Sequence, residues 1–472
     1  MESLPEWGAW SLAPLIIALA AAFWTRSAAF SLLLGALVGV MMLGSDPAHG
    51  LNTLFQEALG SANFIWICEI VLLIGIFFEL LKHSGVLSSM ARKVPQRITT
   101  RKGVALTTWG MGLVIIDDYF SPLMSGSIMR PLADKAGMPR EKLAFLLDST
   151  TASVCILFPF AAWAAYFSGL LVAQGGPIHS PDIAVSAFIH AIPYNFYPIL
   201  MLLFALLIAL NRIPDFGPMA KAERRARETG QLFRPGANPL FDSDTLSDPS
   251  LSDEQAASAA PVLWLQLALP VLILFATIAA GIVLSGSVWI VEAFMAAVTF
   301  LALTLLLRKQ LSGVADLVDH AFSGARSVVP ALIIIALAYA INHITTQLGA
   351  AEYLIHISHD FMTPQLLVAS VFLVSALISF STGTSWGTYA LMIPLVVPLA
   401  YAYNDASLDP LLYKTIAAIA GGGIFGDHAS PVSDTSVLSS AGAGSDHMDH
   451  VITQLPYALV VAAVALLLYL VI

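Results

Sequence analysis

Charge is what this sequence has least of. Asp, Glu, Lys and Arg make up 11% of its 472 residues, against about 25% in a soluble globular protein. A water-facing surface cannot be covered with so few charges, so a soluble enzyme or a nucleic-acid binder is excluded as a reading of the whole chain. Cysteine is almost missing: Cys68 and Cys155 are the two present. They are too few for a disulfide framework or a thiolate metal site, and both lie in apolar runs, as small core residues do. The first apolar run, Ser11–Trp24, has no basic region before it and leads directly into another. A cleavable signal peptide is therefore not expected. The net charge of −10 carries no orientation, because the placement of Lys and Arg orients a membrane chain and net charge does not.

What fills the sequence instead is apolar: 58% of the residues. A membrane span needs roughly 20 such residues in a row. We place spans at about 11–25, 28–44, 65–81, 143–171, 186–211, 261–284, 288–307, 328–347, 413–440 and 451–472. Two more segments, 104–129 and 366–400, are apolar but rich in Gly, Ser, Thr, Pro and Asp. Lys82, Arg92, Lys93, Arg97, Arg101 and Lys102 precede the first, and Arg130, Lys135, Arg140 and Lys142 follow it. Both of its ends therefore read as cytoplasmic, and a segment with both ends on one side enters and returns as a re-entrant hairpin. Residues 348–365 and 401–412 contain no Lys or Arg, so the second hairpin opens outward. On this plan 20 of the 21 basic residues fall inside; Lys414 is the exception, and both termini are external.

The expected fold class is thus an all-α polytopic membrane protein: about ten transmembrane helices plus two re-entrant hairpins, in two inverted repeats. Residues 1–211 form the first repeat with hairpin 104–129. Residues 212–260 form a cytoplasmic loop and linker, and 261–472 the second repeat with hairpin 366–400. Weak internal matches agree: Ile128–Leu132 (IMRPL) aligns with Leu391–Leu395 (LMIPL) at an offset of 263, and Asp148 falls opposite Asp427 when Phe145–Ser153 is laid on Ile424–Val432. Inverted repeats with broken helices place a binding site near the midplane. Residues 235–260, rich in Ser, Asp and Pro, read as a flexible linker. The preceding MAKAERRARETG reads as a surface helix with a solvated basic face, anionic lipid being the alternative partner.

Ionisable groups and broken backbone at membrane depth are costly and point to function. Four clusters qualify. The first hairpin holds Asp117 and Asp118, with Pro122 close behind. Asp148 is followed by Ser149, Thr150, Thr151 and Ser153, whose hydroxyls alternatively bond back to carbonyls one turn earlier. The second hairpin holds the run Ser381-Thr382-Gly383-Thr384-Ser385-Trp386-Gly387-Thr388, the oxygen-rich set a hard alkali cation favours. Residues 421–436 combine four glycines, Pro431, Asp427, Ser430 and Asp434, and we expect the helix to unwind at Pro431. Among weaker features, Glu79 is a partner for Lys82 or His83. The run from Asp446 to His450 reads as a solvated turn, with pH sensing or metal binding as alternatives. Trp163, Trp386 and Tyr119 are candidates to line a site. A carboxylate in a low-dielectric site favours its proton, and a bound cation displaces it. One site then holds either H+ or Na+, which is sufficient for exchange if access alternates.

Four stretches carry a family resemblance: IDDYFSPLMSGSIMRPLADK, LAFLLDSTTASVCILFPFAAW, FSTGTSWGTYALMIPL and GDHASPVSDTSVLSSAGAGSDHMDHVITQLPYAL. With DFGPMAKAERRARETG they resemble, in order and over most of the chain, the NhaC family of sodium/proton antiporters. The resemblance implies paired hairpins and Na+/H+ exchange. It marks Asp117, Asp118, Asp148, Ser149, Ser381, Thr382, Thr384, Asp427, Ser430 and Asp434 as cation- and proton-site candidates. Within that set, Na+ is assigned by inference to Asp148, Ser149, Ser381, Thr382, Thr384, Asp427 and Asp434. Relatives in the family exchange malate against lactate, or basic amino acids, so an ion-coupled exchanger of a small organic acid or amino acid is the alternative. An intramembrane aspartyl protease is a remote one. It needs a Tyr-Asp pair and an Asp after Gly-x-Gly, whereas here Tyr119 follows Asp118 and Asp427 follows Ile424-Phe425-Gly426. We expect no cofactor and no nucleic-acid partner. Na+ and H+ are the expected ions, a bacterial inner membrane the expected location, and homodimerisation is left open.

Overall fold

A computed structural model describes residues 7–25, 27–86, 89, 98, 100–118, 120–159, 161–239, 262–285, 289–350, 352–353, 356 and 363–472. Among them the secondary structure is helical apart from two isolated bridges, Gly175 with Ile178 and Pro239 with Asp446. The helices are α1 (Ala13–Thr25), α2 (Ala28–Met42), α3 (Pro47–Leu59), α4 (Ala62–His83), α5 (Arg101–Val114), α6 (Phe120–Lys135), α7 (Arg140–Leu157), α8 (Ala162–Val172), α9 (Pro181–Ala191), α10 (Phe196–Ala209) and α11 (Gly217–Thr229). After the linker come α12 (Leu269–Ser285), α13 (Ile290–Leu307), α14 (Val314–Gln347), α15 (Pro364–Thr382), α16 (Ser385–Tyr403), α17 (Pro410–Ala429), α18 (Asp434–Ala443) and α19 (His447–Val471). Most of the expected linker, from residue 240 onward, lies outside the described residues, as does Tyr119.

Seven of these helices are long and apolar enough to cross a bilayer, both legs of the expected second hairpin (α15 and α16) among them, and the number is ten if each of three bent pairs is one span. The expected span 143–171 is one such pair: α7 and α8 meet at 47° across Phe158–Ala161, where Pro159 removes a donor. The span expected at 186–211 is likewise two helices, meeting at 48°. The third pair corrects the sequence reading. Helix α3, not anticipated, leaves α2 at 111°; Asp46 caps it and Pro47 starts it, and it buries only Leu54 and Ala58. Helix α14 also begins at Val314 rather than 328 and runs for 34 residues, about 51 Å.

Contacts establish how the two hairpin segments run. The guanidinium of Arg101, at the start of α5, donates to the carbonyls of Ala136 (2.9 Å) and Gly137, just past α6. The segment therefore returns to the end from which it entered. Its 14-residue and 16-residue legs reach only about 21–24 Å, less than a bilayer core of about 30 Å. In the second segment, Ser379 Oγ donates to Gly423 O (2.6 Å), and Gly422 packs on Ser375, so α15 runs parallel to α17. Ser385 meets Asp427 and Tyr389 meets Ala420, so α16 runs antiparallel to α17. Helices α15 and α16 are thus antiparallel to each other, joined at Gly383 in the left-handed region (φ 71°).

The two hairpins open at opposite ends. Arg101, Arg140, Lys142, Arg225 and Arg234 mark one, the basic end. There Lys142 pairs with Asp215 (2.8 Å) and Glu223 (3.1 Å), Arg101 with Glu223 (2.8 Å), Arg225 with Glu141 (2.9 Å) and Arg234 with Asp449 (3.0 Å). These pairs correct the expected solvated helix at 217–229. Helix α11 buries Met219, Ala222 and Ala226, and Arg225 turns inward to Glu141, while Lys221, Arg224 and Arg227 stay exposed. Helix α19 starts at the basic end and finishes at the other, where Lys414 Nζ donates to Ile472 O (2.6 Å).

Close approach depends on glycine. Between α6 and α18, a Cβ on Gly126 would lie 2.5 Å from the backbone of Gly442. A Cβ on Gly426 would fall on the backbone of Ser379 and Phe380 in α15. Small residues of this kind let membrane helices pack backbone to backbone. We predict that Gly426→Ala lowers stability by about 1–3 kcal/mol through overpacking, read as a lower melting temperature in detergent. Unchanged melting would show that α15 and α17 do not meet there.

Candidate functional site

Four interruptions of helical backbone supply the polar groups: the breaks that follow Leu157 and Ala429 and the tips that follow Val114 and Thr382. Helix α17 ends at Ala429, one residue before Ser430-Pro431, so the unwinding expected at Pro431 is present. The break is held locally. Ser430 Oγ accepts from Val432 N (3.2 Å), and Ser433 caps α18 by accepting from Ser436 N. The tip of the second hairpin rests on this break, with the Cα of Gly383 so close that a Cβ would lie 2.6 Å from Val432 O.

Asp427 occupies the last turn of α17 and is 2% exposed. Its Oδ2 accepts from Ser385 Oγ of α16 (3.0 Å) and its Oδ1 from Ser433 Oγ in the break (3.2 Å). Ser433 Oγ lies 3.0 Å from Thr435 Oγ1, which donates to Asp427 O (3.3 Å). Hydroxyls make up this shell. A hydroxyl either donates its hydrogen or presents a lone pair, so the same oxygens that hold a carboxylate can turn to coordinate a cation.

Asp148, in the middle of α7, is fully buried and held differently. Its Oδ2 accepts from Ser436 Oγ (2.8 Å), Gln454 Nε2 (2.8 Å) and His450 Nε2 (3.1 Å). The amide and imidazole N–H groups that donate here carry no lone pair to offer a cation. Gln454 Nε2 donates its second hydrogen to the carbonyl of His428, freed by the helix break, and Ser436 Oγ shares its single hydrogen between Asp148 and that carbonyl (3.3 Å). Tyr197 Oη and His428 Nδ1 are 3.0 Å apart. The other atoms of the cluster, Asp148 Oδ1, His428 Nε2, His450 Nδ1 and Gln454 Oε1, are buried without a partner among the described residues.

A third surrounding is a cavity of about 890 Å³. Asp117 and Asp118 of the first tip, Thr384 of the second and Asp434 at the start of α18 line its inner end. Asp118 Oδ2 accepts from Trp163 Nε1 (2.9 Å), and Trp163 meets Trp386 edge to face at 5.5 Å. Tyr166 Oη fixes the backbone of Trp386 by donating to its carbonyl (2.6 Å). From there the cavity follows α4, α12, α13 and α14 to Glu79 and Lys82. Near the start of α4, Ile67 packs on Gly169, six residues before the Gly175 carbonyl that binds Tyr401 at the end opposite the basic one. Glu79 and Lys82, near its finish, therefore lie toward the basic end, where they pair with each other at 3.1 Å.

The ten candidates thus fall in several surroundings. Asp427 has its hydroxyl shell, Asp148 its two nitrogen donors and Ser436, and Asp117, Asp118, Thr384 and Asp434 share the cavity. Ser149 Oγ and Thr382 Oγ1 bond back to Leu146 O (3.5 Å) and Ile378 O (2.8 Å). Ser430 serves the local turn, and Ser381 is half-buried at the end of α15. Ser385, His428, Ser433 and Ser436 lie within the polar clusters marked in the sequence without being among the ten candidates, and Gln454 lies outside them all. His450 is a correction: expected in a solvated turn, it is fully buried against Asp148. Its spacing of four from Gln454, on one face of a helix capped by Asp446, was the available signal. Among the described residues no three His, Cys, Asp or Glu side chains converge as a transition-metal site does.

The sequence profile of the Na+/H+ antiporter family matches residues 154–472. An uncharacterized protein of Haemophilus influenzae is 31% identical over 98% of this chain and 90% of its own. Shorter matches are to an uncharacterized Na+/H+ antiporter of the same organism, 29% identical over 29% of this chain and 28% of its own. The malate-2H+/Na+-lactate antiporter of Bacillus subtilis is 31% identical over 22% and 21%. Among solved structures, the YdaH transporter of Alcanivorax borkumensis aligns with a TM-score of 0.58, covering 90% of this chain and 88% of its own at 17% identity. That likeness concerns the fold. The family is one of antiporters, so the chain is a multi-pass membrane transporter and not a protease.

The double bridge from Ser436 and Gln454 yields a prediction. Gln454→Leu leaves Asp148 and the His428 carbonyl each short of a donor, at a cost of about 1–3 kcal/mol. Combining it with Ser436→Ala in a double-mutant cycle is expected to give a coupling above about 0.5 kcal/mol, read from melting in detergent. Strictly additive losses would show that the two side chains do not share acceptors.

Proposed function

The chain belongs to the Na+/H+ antiporter family, and on that premise we propose that it exchanges Na+ for H+ by alternating access, with Asp427 as the carboxylate for which the two ions compete. One observation carries this reading: Asp427 is held between a hairpin tip and a helix break by hydroxyls alone, Ser385 and Ser433. Protonated, the carboxyl needs no counter-ion in its buried position. Ionised, it supplies the charge, and the hydroxyls and break carbonyls supply the oxygen ligands, for a dehydrated Na+. Asp148, held by two nitrogen donors as well as the Ser436 hydroxyl, instead fixes the broken end of α17 against α7 and α19.

Alternating access has support in the recurrence of element order. A long helix, a hairpin, a broken span and a return appear as α4, α5/α6, α7/α8 and α9/α10, and again as α14, α15/α16, α17/α18 and α19. Because the two hairpins open at opposite ends, we read the halves as inverted repeats. The basic end is then cytoplasmic, the termini lie outside a bacterial inner membrane, and the cavity is the cytoplasmic approach. Its volume, beyond the need of one Na+, favours a second reading: ion-coupled exchange of a small organic solute.

The test is purified protein in proteoliposomes with a pH-sensitive dye and an imposed pH gradient, given NaCl, with KCl and choline chloride as controls. We expect Na+ alone to collapse the gradient and Asp427→Asn, correctly folded by size-exclusion and melting, to abolish the response. A fully active Asp427→Asn protein removes this residue from the mechanism. Silence of the wild type to Na+ moves the assignment to an organic solute. Ser385→Ala is expected to raise the Na+ concentration for half-maximal exchange about ten-fold, roughly 1.4 kcal/mol of lost binding.

A further inference from the structure

The cavity's wall and its inner end are chemically opposed. Most of the wall is aliphatic and aromatic, with Phe77, Phe158 and Phe294 among its rings, while Asp117, Asp118 and Asp434 stand together at the inner end. Lys82 is the one basic side chain among the lining residues, and it pairs with Glu79 at the far end. A hydrated Na+ would gain nothing from an apolar wall. An organic anion would meet carboxylates, and like charges across a contact cost several kcal/mol (roughly). Volume and lining are those of a site for an organic molecule, within the usual range of about 300–1,000 Å³.

Taking this cavity as the approach to Asp427, as read above, we infer that it binds a protonated organic amine with an apolar body. The ammonium sits at the aspartates beside the indole of Trp386, where a cation gains from the ring face as well as the carboxylates. The body lies along α4 and α13, where its burial removes apolar surface from water. Trp163 orients the inner end, since its Nε1–H holds Asp118 while its ring packs on Trp386. The solute chemistry that fits is therefore cationic and amphiphilic rather than a carboxylic acid.

The experiment uses the full chain in lipid nanodiscs, with empty nanodiscs subtracted for partitioning, and three probes of one skeleton: 4-phenylbutylamine, 4-phenylbutan-1-ol and 4-phenylbutyrate. Isothermal titration is expected to show the amine binding at least about ten-fold more tightly than the alcohol or the acid. The double substitution Asp117→Asn with Asp434→Asn is expected to erase that preference while the protein keeps its size-exclusion profile. Equal binding of amine and alcohol by the wild type overturns the inference, as does a preference for the acid; neither result depends on a variant folding. Na+-driven exchange is measured on the same preparation. Exchange without amine preference defeats this inference alone, and amine preference without exchange defeats the Na+/H+ reading alone.

Discussion

The carbonyl of His428 is where this structure is tied together. A helix that stops inside a membrane leaves its last carbonyls without intrahelical donors, and no water is there to replace them. Here Ser436 Oγ and Gln454 Nε2 take that carbonyl, and the same two groups hold Asp148. One cluster thereby joins α7, α17, α18 and α19. Without it the carbonyl of His428 would be left unpaired, one residue after Asp427.

The break also explains why the two buried aspartates differ. Asp427 faces hydroxyls contributed by the broken backbone and the hairpin tip, and Asp148 faces nitrogen donors from α19 together with the Ser436 hydroxyl of α18. Both are buried, so it is the donor chemistry that separates an all-hydroxyl shell from one that two N–H groups also hold. Glycine makes the arrangement possible. Gly383 lets the tip rest on the break, and Gly422 and Gly426 bring α15 against α17 so that Ser379 reaches the carbonyl of Gly423.

At the basic end the ion pairs serve a different purpose. Lys142 is almost fully buried, yet Asp215 and Glu223 meet it, and Tyr457 binds Asp215 at 2.8 Å. A buried charge stripped of its partner is costly, so these pairs hold α11 against α7 and α19. The helix that composition suggested was a solvated surface element is a clasp across the mouth of the first hairpin, where Arg101 joins Glu223 to the carbonyls of Ala136 and Gly137.

Several of these features were legible in the residues themselves. Scarce charge dictated a membrane chain, because apolar surface has nowhere else to go. Lys and Arg placement assigned both hairpins, since a charged side chain does not readily cross lipid. Pro431, lacking a backbone donor, marked the break to within a residue. What tertiary structure alone decided is the company each carboxylate keeps. Asp148 finds Ser436, His450 and Gln454 roughly 300 residues away, and no local pattern encodes a contact at that separation. His450 read as a solvated turn because its neighbours Asp446 and Asp449 are polar and its buried face appears only once α19 is docked. The sequence by itself determined that there would be broken helices, acids and hydroxyls at depth. Only packing decided which acid would meet hydroxyls alone and which would be held by N–H groups as well.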